Sequence, residues 1–298
     1  MRVLCFGSLN IDYTYKVDHF VGKGETLSSE SLQVFSGGKG LNQSIALAKA
    51  GADTYHAGAI GEDGRFLLKI MEDAGVHTEY VAELPDVRTG NAIIQNDREG
   101  DNCILLYGGA NQAVTQEQVD EVLSHFQAGD FLVLQNEINE LEYIVRKAHE
   151  KKMKIVLNPS PMNEKVTALP LDFVDYFMLN EVEAGQILGR AVQDGYDGEA
   201  LASALLARFP DAAVVLTLGG DGSVYMDREK TIRQPVYKVK AVDTTAAGDT
   251  FTGFFIGGIM NGLTVNEAMD QASRAAAIAV TRQGAAPSIP LLEEVKQF

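Results

Sequence analysis

A chain of 298 residues with 46% hydrophobic and 22% charged side chains has the balance of a soluble globular protein. That length gives room for one large α/β domain and a small appendage. The formal net charge of −16 argues against nucleic acid as a partner, because phosphate backbones are held by Lys and Arg.

Met1-Arg2 leads directly into VLCFG, too short for the apolar region of a signal peptide. No apolar stretch reaches the roughly 18 residues of a membrane span, so no membrane partner is expected. Cys5 and Cys103 both sit in apolar, strand-like runs without a CxxC or Cys/His cluster. Buried free thiols in a reducing, cytoplasmic compartment are the expectation. The five histidines show no metal-binding spacing and read as surface or packing residues.

Val3–Phe6 is a short apolar run of buried-strand type. Tyr13–Val17, Leu32–Phe35, Gly90–Gln95 and Cys103–Tyr107 alternate or carry β-formers, with helix patterns at Leu41–Ala50 and Phe66–Ala74 between them. After Asn111 the rhythm is regular. Helix 115–127 precedes strand Phe131–Leu134, and helix 140–151 precedes Lys154–Leu157. Strand Val174–Met178 precedes helix Glu181–Leu188, and helix 198–208 precedes Val214–Leu218. Such alternation predicts a parallel sheet with helices on both faces. The half-polar early strands suit a sheet with one wet face, either a small flap over the strand ends or an edge of the main sheet.

The chemistry-bearing segments also come in chain order. Gly7-Ser8-Leu9-Asn10-Ile11-Asp12 follows the first strand, and its Asn and Asp alternate toward one side, as polyol anchors or as an Asx turn. Ser36-Gly37-Gly38-Lys39-Gly40-Leu41-Asn42-Gln43 leads into a helix but matches neither the Walker A nor the GxGxxG pattern. A tight turn and a ligand site fit it equally. Glu137 follows one strand, and Asn180 and Glu183 follow another. Asn180 suits a helix cap, and Glu183 suits magnesium held through water. Thr217-Leu218-Gly219-Gly220-Asp221-Gly222 suits a nucleotide or a hairpin. In Val242–Phe251 small residues separate Asp243 from Asp249 ahead of an apolar helix pattern, Phe251–Met260. Unpaired N–H groups at that helix start favour developing negative charge, with Asp249 in the first turn beside them.

Together these residues resemble the ribokinase family of carbohydrate kinases, within the phosphofructokinase-B superfamily. The resemblance runs from GSLNID at 7–12 to GAAPSIP at 284–290, and its specific signatures are GGKGLNQ and DTTAAGDTF. It implies a three-layer α/β fold, a parallel sheet flanked by helices with a small β-sheet lid. A single domain over 1–298 is expected, its lid strands drawn from about 11–18, 31–36, 88–96 and 102–108. Asp249 would be the catalytic base, with the backbone of Ala246, Ala247 and Gly248 forming an anion hole. Sugar contacts would fall on Asn10, Asp12, Gly38, Lys39, Gly40, Asn42, Glu137 and Asp249. ATP contacts would fall on Asn180, Thr217, Gly219, Gly220, Asp221, Gly222, Gly248 and Ser273.

The resemblance further implies magnesium at Glu183 through water. It places potassium at Asp243, Thr245, Ala279, Arg282, Gly284 and Ser288, partly through backbone carbonyls. The implied reaction is ATP-dependent phosphorylation of a primary hydroxyl, D-ribose at O5. Deoxyribose, a ketohexose or a nucleoside are the alternative acceptors, and a non-catalytic sugar sensor is the remaining reading. Pairing of lids would give a homodimer. Three positions depart from the family pattern: Leu41 in place of Ala, Asn136 in place of Leu before Glu137, and Ser273 in place of a larger residue.

Overall fold

Strands buried on both faces read as unbroken apolar runs, and this chain places such runs at the centre of its main sheet. The computed structural model describes residues 1–191 and 197–298. The first third holds β1 (Val3–Phe6), β2 (Asn10–Lys16), β3 (Ser31–Gly37), α1 (Lys39–Lys49), β4 (Thr54–Gly61), α2 (Arg65–Asp73), β5 (His77–Leu84), β6 (Gly90–Asn96) and β7 (Asn102–Tyr107). Next come α3 (Gln116–Ser124), β8 (Phe131–Gln135), α4 (Leu141–Glu150), β9 (Lys154–Asn158), α5 (Glu164–Thr167), β10 (Tyr176–Asn180) and α6 (Glu181–Ile187). The remainder is α7 (Gly198–Arg208), β11 (Ala213–Thr217), β12 (Ser223–Met226), β13 (Thr231–Gln234), α8 (Ala247–Met260), α9 (Val265–Ala279) and α10 (Leu292–Gln297).

The main sheet has nine strands in the order β13-β12-β11-β10-β9-β8-β1-β4-β5. It is parallel from β11 to β5, and only β12 and β13 are added antiparallel. Side chains along β1 alternate between two cores. Val3 and Cys5 join Leu41, Ile45 and Phe254 on one face, and Leu4 and Phe6 join Val119, Ile144 and Leu205 on the other. Helices on both faces make this a three-layer α/β fold.

A separate sheet of four strands, β3-β2-β6-β7, stands apart from the main one. Its half-polar strands thus form a lid and not an edge of the main sheet. Only β2 and β6 pair parallel there. Every residue of its outer strand β7 is exposed, which corrects the expectation for one cysteine: Cys103 lies open on this strand and only Cys5 is buried. An apolar run signals burial only where a second layer covers it, and none covers β7 within one chain.

Some boundaries move for local reasons. The strand expected at Val174–Met178 starts at Tyr176, because the Val174 N–H closes a turn on the Leu171 carbonyl at 3.1 Å. The helix expected from Phe251 begins at Ala247, so the whole Ala-Gly-Asp segment is helical. Strands β4 and β5 carry too many Gly, His and Glu residues to stand out as apolar runs. Among the described residues no helix is long and apolar enough to cross a membrane.

Helices α1 and α8 meet almost backbone to backbone. A Cβ on Gly253 would overlap the Ala46 side chain and lie 2.8 Å from the Leu47 nitrogen, and one on Gly257 would lie 2.7 Å from the Ala50 Cβ. Gly253→Ala should therefore force the helices apart. Despite the better helix propensity of Ala, a net loss of about 1–3 kcal/mol is expected, read as a lower denaturation midpoint in urea. An unchanged midpoint would show that the seam can open without penalty.

Candidate active site

The site gathers at the carboxyl ends of the parallel strands, where open α/β sheets bind ligands. Gly38 enters α1 at φ 94°, a conformation that favours glycine. A Cβ on Gly40 would lie 2.7 Å from the Gly7 Cα, so the turn before α1 packs directly on the loop after β1. Polar groups lock the two together. The Gly40 N–H donates to the Ser8 hydroxyl at 3.2 Å and the Leu41 N–H to the Ser8 carbonyl at 3.0 Å.

Glu137, just past β8, joins this knot. Its Oε2 accepts from the Ser8 hydroxyl and, at 2.9 Å, from the Lys39 N–H. Burial pushes the Glu137 carboxyl up, while Ser8 and the Lys39 charge pull the other way. Asp12 on β2 lies over Gly37 of the paired strand β3, where any Cβ would overlap its carboxylate. Burial, with the negative charge of Glu137 added, raises Asp12 to about 6. Asn10 is oriented by Asn111, whose Nδ2 donates to its Oδ1 at 2.7 Å while Asn111 Oδ1 accepts the Leu9 N–H at 3.0 Å.

Asp249 is the third residue of α8 and is 7% exposed. Asn42 Nδ2 donates to its Oδ2 at 3.1 Å, and Gln43 Nε2 donates to its Oδ1 at 2.9 Å. The Oδ1 of Asn42 is buried and has no partner, an acceptor left over beside Asp249. Ala246 precedes the helix in the left-handed conformation, φ 59°, and no side chain caps the helix start. The Ala247 N–H turns back to the Thr244 carbonyl at 3.2 Å, and the first intrahelical bond is that of Thr250 to Ala246 at 2.8 Å. The N–H groups of Gly248 and Asp249 thus belong to the unpaired first turn.

A cleft of about 200 Å³ opens at that turn, lined among others by Lys39, Asn158, Asn180, Glu183, Thr217 and Gly248. Burial disfavours the Lys39 ammonium, but Asp249, Glu137 and Glu183 outweigh it and hold the pKa above the usual lysine value. Lys39, expected beside the sugar, lines the cleft by α8. Asn180 and Glu183 form a reciprocal cap on α6: the Glu183 N–H donates to Asn180 Oδ1 at 2.8 Å and the Asn180 N–H to Glu183 Oε2 at 3.0 Å. Both line the cleft while serving as the cap.

The other nucleotide candidates spread out. Thr217 lines the cleft, whereas Gly219, Gly220 and Asp221 form an exposed turn ending at Gly222, with φ 90°. Ser273 lies half-buried on α9 and is not among the residues lining the cleft. Asp243 ties its loop to the one after α9. Its Oδ1 accepts from the Thr245 N–H at 2.9 Å and hydroxyl at 2.6 Å, and its Oδ2 accepts from the Gly284 N–H at 2.9 Å. Ala279 accepts the Arg282 N–H at 3.0 Å, the Arg282 guanidinium pairs with Glu294, and the buried Ser288 hydroxyl donates to Ala285 at 2.7 Å.

Two departures from the family pattern are taken up by contacts of their own. Leu41 is a fully buried core residue, and Asn136 Nδ2 donates to the Pro161 carbonyl at 2.6 Å. Ser8, Gln43, Asn111 and Gln135 were not singled out as site residues, yet all are buried within the hydrogen-bond network described here. For Gln135 the one available signal was a polar residue closing the apolar run of β8.

A buried carboxylate held by two side-chain amides at an uncapped helix start fits a phosphotransferase with an alcohol acceptor. The model of the pfkB family carbohydrate kinases matches residues 1–292, and the chain belongs to that family. It is 36% identical to a ribokinase of Staphylococcus aureus (strain COL), over 99% of both chains. Its fold is similar to the crystal structure of a ribokinase from Cryptococcus neoformans var. grubii in complex with ADP, at TM-score 0.86 and 31% identity, over 99% of each chain. An Arabidopsis thaliana ribokinase complexed with ribose and ATP superposes at TM-score 0.86 with 28% identity, over 99% of this chain and 97% of that one.

Behind the site, His56 is fully buried between Ser44 and Gly7. The Gly7 carbonyl, 3.2 Å from Nε2, only accepts, so Nε2 carries the proton and Nδ1 accepts from the Ser44 hydroxyl at 2.7 Å. Burial lowers the His56 pKa to about 4, from 6.5. The unfolded chain then binds more protons between those values, so His56 favours folding fully above pH 6.5 and progressively less as pH falls through about 4. The loss is on the order of 3 kcal/mol. His56→Asn should flatten the stability profile between these limits in urea titrations. Parallel profiles for the two proteins would refute the assignment.

Proposed function

We propose that this kinase transfers the γ-phosphoryl group of ATP to O5 of D-ribose, giving ribose 5-phosphate. The observation that carries the reading is Asp249 itself, held by two side-chain amides at the unpaired first turn of α8. The choice of pentose is supported by the ribokinases among its relatives and by the ribose and ATP bound to the Arabidopsis protein.

In this mechanism Asp12, Glu137 and the free Asn42 carbonyl accept sugar hydroxyls, and Asn10 and the Gly38–Gly40 backbone close the pocket around them. The O5 hydroxyl attacks the γ-phosphorus and its proton passes to a carboxylate oxygen of Asp249. The transition state is loose, so positioning and charge stabilisation supply most of the acceleration. N–H groups of Gly248 and Asp249, with Lys39, face the charge that builds on the transferring group. Thr217, Asn180 and the Gly219–Gly222 turn would hold the nucleotide, with Ser273 toward its base.

Asn180 and Glu183 carry oxygens at the cleft suited to magnesium through water, and the ion would neutralise charge on the phosphates. The Asp243 carboxylate with the carbonyls of Thr245, Ala279, Arg282 and Gly284 and the Ser288 hydroxyl would supply an all-oxygen set suited to potassium. Asp243 already knits the two loops concerned, so an ion there would steady the segment that presents the Gly248 N–H. ATP as donor and the free thiols of Cys5 and Cys103 fit a cytoplasmic location.

An ADP-release assay with magnesium-ATP, run over pentoses, ketohexoses and nucleosides with and without potassium, tests this. Ribose should be turned over best and potassium should stimulate it. Asp249→Asn should lower kcat by about 10²–10⁴-fold. Best turnover of another acceptor would replace ribose, and wild-type turnover by Asp249→Asn would remove the base.

We propose in addition that two copies pair through their lids. Val34, Ile104, Leu105, Leu106 and Tyr107 are all half or more exposed on this small sheet. Sedimentation at micromolar concentration should find a dimer, converted to monomer by Leu105→Asp. A wild-type monomer would end the idea.

A further inference from the structure

We propose that Gln135 and Gln43 form a buried amide relay that positions the Asp249 carboxylate, an inference that rests on Asp249 serving as the base. Both glutamines are fully buried, and neither touches the cleft where phosphate would sit. Gln43 lies on α1, Gln135 at the end of β8, and Asp249 on α8, so the relay joins three elements across the core.

Its polarity follows from chemistry at each end. A carboxylate oxygen accepts, so Gln43 must present its NH₂ group to Asp249 Oδ1, at 2.9 Å. The Gln43 carbonyl then faces Gln135, which must present its own NH₂, at 2.6 Å. The second hydrogen on Gln135 Nε2 points to Cys5 Sγ at 3.5 Å. That sulfur is left free to accept because the thiol donates to the Gly40 carbonyl at 3.4 Å. The donors thus run in one direction, from Gln135 through Gln43, and the series ends on Asp249.

One acceptor is left over. Gln135 Oε1 is buried without a partner, packed against Gly7 so closely that any Cβ there would overlap it. A residue chosen for packing alone would be apolar at this position, since an unpaired buried carbonyl is unfavourable. The amide retains a penalty for folding and supplies a donor that only Gln43 and Cys5 receive. If Gln135 were replaced by an acceptor, Gln43 would turn its NH₂ toward it and present its carbonyl to Asp249. Gln135 is therefore a positioning residue: it acts through Gln43 and touches neither sugar nor nucleotide.

The test uses the full-length kinase and the ADP-release assay, with kcat and KM measured for both substrates and melting followed by circular dichroism. Gln135→Met should lower kcat by about 10- to 100-fold, the scale of a small misplacement of a reacting group. KM for sugar and ATP should stay within about threefold and the melting temperature should change little, since one unpaired carbonyl replaces another. Gln135→Glu keeps the shape and donates to Gln43 only while protonated, so the ratio of its kcat to that of Gln135→Met should fall as pH rises; a packing role would leave that ratio constant. The double variant Gln43→Met/Gln135→Met should be no slower than Gln43→Met alone, because Gln135 acts only through Gln43. Unchanged kcat in folded Gln135→Met, a loss confined to KM, or additive losses in the double variant would each overturn the relay. Should Gln135→Met not fold, Gln43→Met carries the same expectation, and full turnover there would overturn it. Full turnover by Asp249→Asn would instead remove the base, whereas its loss beside an active Gln135→Met would remove only the relay.

Discussion

The seam between α1 and α8 is the constraint on which the rest depends. Asp249, Gly253 and Gly257 are spaced four apart on α8, and Asn42, Ala46 and Ala50 are spaced four apart on α1, so each set lies along one helix face. Gly253 meets Ala46 and Gly257 meets Ala50, and one turn further along Asp249 meets Asn42 and Gln43. Asp249 is thus the last rung of a helix contact made from small residues. Sliding α8 by a turn would remove both amides from the carboxylate, and larger residues in the seam would do so sideways. Packing and chemistry are specified by the same stripe.

Charge in the site is arranged locally, against the sign of the whole molecule. A chain of net charge −16 must hold anionic phosphates, and within the cleft Asp249 and Glu183 add further negative charge. What would favour phosphate there is a short list of positive partners: the Lys39 ammonium and the uncapped start of α8. Lys39 is held charged in spite of burial by Asp249, Glu137 and Glu183. The acids therefore also keep their one cation charged. Overall acidity describes the solvated surface and says little about what the cleft can bind.

Much of this was legible in the sequence, for reasons that differ by residue. Asp249 stood out because Ala-Ala-Gly-Asp before an apolar helix is a local pattern, and the chemistry of a helix start is local too. The alternation after Asn111 exposed the main sheet for the same reason. Gln135 was hidden because its role exists only through Gln43, 92 residues away, and through it Asp249. Cys103 misled because β7 has apolar side chains without a covering layer. Asn180 and Glu183 show a different limit: a cap and a place at the cleft need not be alternatives, since the cap engages Glu183 Oε2 while both residues line the cleft.

The choice of acceptor has a physical basis that the departures from the family pattern do not disturb. Leu41 packs in the core and Asn136 is bonded to Pro161, so neither reshapes the pocket directly. A sugar pocket built on Asp12, Glu137 and Asn42 would offer a surplus of acceptors, the Asn42 carbonyl among them buried and unpaired. Such a surplus is stable only when a ligand brings donors. An analogue lacking a hydroxyl that one of these groups should receive leaves a buried acceptor unpaired, and sites built this way reject such analogues by about 10⁴–10⁵. An apolar pocket, by contrast, distinguishes ligands that differ by a methylene only by about 10–200-fold. Discrimination at such a pocket would accordingly depend on counting hydroxyls more than on measuring size, which suits a site that separates sugars of nearly equal volume.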